Sequence, residues 1–347
     1  MPFDPDSAAA PGSGVFGLPF SPAEAKVILV PVPFEATTSY GGGAADGPAA
    51  ILEASAQVDL FDAEIGKPYE PGIAMLEEPA EIRAWNEEAV ADAAPVIAAG
   101  GAGDDPLLKA MLARVNERCD QVNAWVYERT RALLDEGRIP CVVGGDHAVP
   151  FGAIRAYAEK YPGLGILHLD AHADLRDAYE GFTWSHASIF HNVMERIPGV
   201  SKLVQVGIRD LGQAEYEYIR GSGDRVISHF DQILSDERFE GATWRSQVDR
   251  IVADLPQQVY LSFDIDGLDP TLCPNTGTPV PGGLSFAQAC ALVAGVARSG
   301  RTIVGLDLCE VAPGAAGDQW DGNVGARLLY KMIGWMLRSQ RIIQAPA

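Results

Sequence analysis

The sequence has 347 residues, 47% hydrophobic and 21% charged, with 47 acids against 26 bases and a formal net charge of −21. Such an excess of acid repels phosphate backbones and anionic lipid surfaces, which argues against nucleic-acid and membrane partners. No apolar run reaches the roughly 18 residues that span a bilayer, and five scattered cysteines without a CxxC pair read as free buried thiols in a reducing, cytoplasmic setting.

The first residues, MPFDPDSAAAPGSG, have neither the basic nor the apolar region of a secretory signal. They read as a loose arm over 1–25, ordered by a partner subunit. KVILVPVPF (26–34) predicts a buried strand, followed by GGGAADGP and a helix from about residue 48. No Gly-Lys-Ser/Thr follows the three glycines, so the segment is a loop and not a phosphate cradle. Residues 64–105 are acidic and broken by Pro and Gly. From 107 to 134, Leu108, Met111, Leu112, Val115, Cys119, Val122 and Val126 recur at three- and four-residue spacing, which predicts a long amphipathic helix. The two stretches together read as an acidic helical insertion over 64–137.

Short apolar runs follow at 139–145, 163–170, 202–210, 225–230, 258–266 and 302–311, most of them separated by helical lengths. Strands alternating with helices predict an α/β fold with a parallel sheet covered on both faces, one domain over 26–347. Ligands of such sheets bind beyond the carboxyl ends of the strands. Four of these ends carry acid or imidazole. CVVGG leads into Asp146 and His147, and ILHL into Asp170, His172 and Asp174. YLSF leads into Asp264, Asp266 and Asp269, and VGLDLC into Glu310.

Residues 170, 172 and 174 share a face if the strand geometry continues, and carboxylates crowded on an imidazole repel unless a cation sits among them. His147, Asp170, His172, Asp174, Asp264 and Asp266 form a workable ligand set. Four carboxylates balance two divalent cations and two imidazoles complete the shells, a mixture that suits Mn²⁺ and can take Ni²⁺, Co²⁺ or Zn²⁺. His168, His191 and His229 read as structural, and Asp269, out of phase with the strand, as either standing behind the ligands or forming a turn.

GGDHAVP (144–150), LDAHADL (169–175), SFDIDGLDP (262–270), TGTPVPGGLS (276–285) and DLCEVAP (307–313) together resemble the ureohydrolase family of arginases, agmatinases and other guanidino-compound hydrolases. The likeness runs over about residues 26–335. It implies a three-layer arginase-like fold and two metal sites. One would use His147, Asp170, Asp174 and Asp264; the other His172, Asp170, Asp264 and Asp266, with Asp170 and Asp264 bridging. It further implies that Glu310 holds the substrate guanidinium, that His186 in WSHASIF carries protons near the leaving amine, and that the products are urea and an amine or ammonia. The assembly it implies is a trimer or hexamer.

Arginases carry Asn two positions after the DAHxD motif, where this chain has Arg176, and the agmatinase TGTPEPGG reads TGTPVPGG here. Tyr179, Phe182 and Trp184 either narrow the pocket, with Arg176 among them and Thr278 on its wall or in a turn, or pack in the core. A compact substrate follows: guanidine or a small alkylguanidine first, then agmatine or another guanidino amine or acid, then arginine. These features are most similar to the branch that includes guanidine hydrolases, where the metal is nickel. In a different class, the chain would be a supporting subunit of a hetero-oligomeric ureohydrolase.

Overall fold

The structure, a computed structural model, describes residues 3–10, 12–315 and 318–346. Its eight strands are β1 (Val27–Val32), β2 (Ile73–Met75), β3 (Ile139–Gly144), β4 (Leu164–Leu169), β5 (Val200–Val206), β6 (Val226–His229), β7 (Gln258–Asp264) and β8 (Thr302–Cys309). They form one sheet in the order β2-β1-β3-β8-β7-β4-β5-β6. Every pairing between neighbours is parallel. The helices are α1 (Gly47–Ser55), α2 (Ala80–Ala98), α3 (Pro106–Asp135), α4 (Phe151–Lys160), α5 (Ile189–Arg196), α6 (Gln213–Gly221), α7 (Asp231–Phe239), α8 (Trp244–Ala253), α9 (Phe286–Arg298) and α10 (Trp320–Ser339).

Alternation along the strands divides the core in two. Val27 and Leu29 of β1 face a cluster fed by α1, α8, α9 and α10, whereas Ile28, Val30 and Val32 face α2 and α3. The second face continues under α4 and α5. Both faces of a parallel sheet are thus covered, which accounts for strands that are apolar without interruption.

Two expectations are corrected. The stretch 64–137 is not an appendage: β2 extends the sheet edge beside β1, and α2 and α3 form part of one helical layer. A three-residue strand inside an acidic stretch has too little pattern to be seen in sequence. Nor is the arm wholly loose. Val15, Phe16 and Leu18 are at most 2% exposed, the Phe16 amide donates to Ser55 Oγ at 2.9 Å, and the Phe16 ring lies 4.8 Å from that of Tyr330. The five cysteines are free, four of them buried and Cys290 partly so.

Candidate metal centre and substrate pocket

The centre of the sheet runs β3, β8, β7, β4, and these are the strands whose carboxyl ends carry the acids and His147. Close backbone approach decides the local sequence. A Cβ on Gly145 would lie 1.9 Å from the Phe34 carbonyl oxygen, and one on Gly267 would lie 2.7 Å from the Asp170 nitrogen. Only glycine fits at either place. Asp174 and Glu310 adopt φ of 54° and 62°, a conformation that costs a non-glycine residue energy and persists only where the surroundings hold it. The Asp174 carbonyl accepts the amides of Phe190 and His191. Glu310 donates its amide to Gly145 O at 2.8 Å and accepts Thr276 Oγ1 at its carbonyl, also at 2.8 Å.

His147 Nδ1 lies 3.0 Å from Asp170 Oδ2, 3.4 Å from Asp174 Oδ2 and 3.3 Å from Asp264 Oδ2. His172 Nδ1 lies 3.5 Å from Asp170 Oδ1 and 3.0 Å from Asp266 Oδ2. The two imidazoles therefore gather two groups of carboxylates, and Asp170 offers a different oxygen to each. Asp264 turns Oδ2 to His147, while its Oδ1 accepts the Asp266 amide at 2.9 Å. Burial pushes the Asp174 carboxyl up to about 7, with Asp170 adding to it. Burial, then Asp266 and Asp170, push Asp264 well above the carboxylate range. His172 moves the other way. Burial pulls its pKa down, but Asp266 and Asp170 outweigh that and raise it to about 12. Crowded carboxylates raise one another and draw a proton to His172, so the cluster favours added positive charge, as an oxygen-rich cation site does.

Beside this cluster lies a cavity of about 170 Å³. Its lining includes His172, Asp174, Arg176, Tyr179, His186, Asp210, Glu215 and Thr278; Asp210 is exposed, whereas Glu215 is buried. Arg176 stands over the Tyr179 ring at 4.5 Å and donates to Glu215 at 3.3 Å. Thr278 Oγ1 donates to Asp266 Oδ2 at 3.4 Å. Glu310 is 5% exposed; its Oε1 accepts the His147 amide at 2.9 Å, and its Oε2 has no hydrogen-bond partner among the described residues.

Trp184 is not on this wall, and that expectation is corrected. Its ring packs on Phe151 at 4.7 Å and beneath the Arg196 guanidinium at 4.8 Å. Phe182 is likewise core, 1% exposed. Of the three aromatic residues only Tyr179 reaches the cavity. Asn116 of α3 folds the loop this way, donating to Gly181 O at 3.2 Å and accepting from the Thr183 amide at 2.8 Å.

Several contributors escaped sequence reading. Thr37 Oγ1 accepts the His186 amide at 3.1 Å, sits 3.2 Å from His186 Nδ1 and 3.4 Å from Asp146 Oδ2. Burial lowers the His186 pKa to about 4, so the ring is neutral near pH 7. His147 Nε2 faces Ser262 Oγ at 3.0 Å, and that hydroxyl donates to Asp307. The available signal was a polar residue within an otherwise apolar strand: Gln205 in LVQVG, Ser262 in YLSF, Asp307 in VGLDLC.

Comparison with known proteins agrees with this geometry. A model of the Arginase family matches residues 25–334. The chain is 31% identical over 322 residues to the N(1)-aminopropylagmatine ureohydrolase of Synechocystis sp., covering 92% of each chain. It is 30% identical to the agmatinase of Bacillus anthracis over 295 residues, 84% of each. Among solved structures, proclavaminate amidino hydrolase from Streptomyces clavuligerus superposes with a TM-score of 0.71 at 24% identity, covering 96% of this chain and all (100%) of that one.

Proposed function

The chain belongs to the arginase family of metal-dependent hydrolases that act on amidino C–N bonds, and from that premise we propose that it releases urea from a small guanidino compound, with guanidine or a short alkylguanidine preferred. The observation that carries the substrate class is Glu310. One buried oxygen is committed to the His147 amide and the other is unpartnered. Burial, then Asp146, raises the Glu310 pKa, so a cation is needed to hold it ionised. A guanidinium supplies that charge and N–H donors in matching geometry.

The residues present fit the dinuclear centre typical of the family: carboxylates and imidazoles converge without thiolates in the two groups described above. In this reading His147, Asp170, Asp174 and Asp264 would hold one ion, and His172, Asp170, Asp264 and Asp266 the other, as Mn²⁺ or Ni²⁺. Such a pair supplies Lewis acidity and a water acidified to near neutrality. The chain does the rest. Glu310 fixes the guanidinium plane, Asp174 accepts a proton from the attacking water, and His186, neutral and steadied by Thr37, relays that proton to the departing nitrogen.

Size supports a compact substrate. The cavity of about 170 Å³ accommodates guanidine. Agmatine is the second reading, favoured by Asp210, an exposed acid on the cavity lining that offers a terminal ammonium a partner. Arg176 opposes that tail, although its charge is met by Glu215.

The test is urea release after loading with Mn²⁺ or Ni²⁺, against guanidine, methylguanidine, agmatine, 4-guanidinobutyrate and arginine. Guanidine or methylguanidine turning over best supports the reading. Agmatine preferred, and lost in Asp210→Asn, establishes the second. No urea from any compound, in protein holding two metals, returns the chain to the role of a supporting subunit. Light scattering on the same sample distinguishes the trimer or hexamer proposed here from a monomer.

A further inference from the structure

Asp170 meets a hydrogen-bond donor at each oxygen. Oδ1 accepts the His172 amide at 2.6 Å. Oδ2 lies 2.7 Å from His168 Nε2, and the state of that nitrogen is decided two strands away. Ser228, Gln205 and His168 are register partners on β6, β5 and β4, a row running across the sheet beneath the site. Gln205 Nε2 is 2.7 Å from Ala173 O and 3.0 Å from His168 Nδ1, while its Oε1 accepts Ser228 Oγ at 2.7 Å.

Only one set of hydrogen positions satisfies this row. A carbonyl can only accept, so the amide must turn its NH₂ toward Ala173, and the same NH₂ reaches His168 Nδ1. That nitrogen is therefore the acceptor of the neutral ring, and the single ring hydrogen lies on Nε2, aimed at Asp170. The ring cannot swing away, because Phe190 packs on it at 4.0 Å between centroids and both His168 and Gln205 are fully buried.

We propose that Gln205 and His168 are positioning residues that make Asp170 a bridging ligand. Gln205 sets the tautomer of His168, and His168 occupies one lone pair of Oδ2. The His172 amide occupies one lone pair of Oδ1. A carboxylate oxygen offers about two such sites, so each oxygen keeps one for an ion. Asp170 is thereby steered to join two ions instead of chelating one with both oxygens. The inference rests on the metal reading above, since it presumes that Asp170 is a ligand.

The experiment compares wild type, His168→Met, His168→Gln and Gln205→Met, each loaded with Mn²⁺. Metal content, release to a chelator and the exchange-coupled paramagnetic resonance signal of a bridged Mn²⁺ pair are read. The expected result is two ions and a coupled signal in wild type. In His168→Met and Gln205→Met, Mn²⁺ affinity falls about 10–100-fold, the usual cost of losing a partner behind a ligand, and the coupled signal weakens. His168→Gln, whose amide N–H falls near the position of Nε2–H, restores both. Should His168→Met not fold, the nearly isosteric Gln205→Met carries the test. Fewer than two ions in wild type overturns the metal reading and this inference with it. Two coupled ions in wild type and unchanged binding in Gln205→Met overturn the inference alone. It also falls if His168→Gln is as weak as His168→Met, because packing on Phe190 would then explain the loss.

Discussion

Glu310 illustrates how one side chain can serve two ends, with an oxygen on the His147 amide and the other, without a partner among the described residues, proposed to meet the substrate. Glu310→Gln keeps the shape and removes the charge. The expected outcome is retained metal, with transition-state binding weakened by about 2–5 kcal/mol, the range for breaking a buried charge pair; kcat/KM measured beside metal content checks it. Thr37→Val removes the hydroxyl beside His186. A hydrogen bond is worth about 1 kcal/mol, so kcat should fall severalfold with KM little changed, and Thr37→Ser should restore it. Equal rates in Thr37→Val would mean that His186 needs no partner. The six proposed ligands were legible because each stands at a strand end in a short motif. Trp184 was misplaced because sequence gives proximity to a pocket but not the direction of a ring. Thr37 was invisible because its partner is 149 positions away.

Elements were legible in proportion to their length and regularity. The thirty residues of α3 announce themselves through spacing, and Asp105 caps the helix by accepting from the Leu107 amide at 2.7 Å. β2, three residues long, does not. Between elements, the loop after β7 takes its shape from Arg209, whose guanidinium donates to the carbonyls of Asp266, Leu268 and Val280 at 2.7, 3.1 and 2.9 Å. Arg209→Met strands three carbonyls at once. The expected outcome is a loop 266–280 that exchanges its amide hydrogens faster, with KM raised through Thr278 and metal affinity lowered through Asp266. Hydrogen exchange confined to wild-type rates in that loop would show that the guanidinium is dispensable.

Across the whole molecule, buried imidazoles link stability to pH. His229, 3.0 Å from Asp254, is held below its ordinary pKa by burial, with Asp254 opposing. The folded ring stays neutral below about pH 6.5, where the unfolded chain takes up a proton. Stability is thus lost as pH falls through that value. Between about pH 7.5 and 5.5 the wild type should lose more unfolding free energy than His229→Gln in urea titrations; parallel losses would remove His229 from the account. The order of strands carries a further consequence, for synthesis. β8, begun at Thr302, lies between β3 and β7, so the central four strands close only when the last of them arrives. A ribosome that has released residues up to 300 has exposed every histidine and all the proposed ligand acids, yet the gap between β3 and β7 is still open. Loading with metal should therefore wait for β8, and a chain stalled before it should bind ions weakly and present bare sheet edges to chaperones.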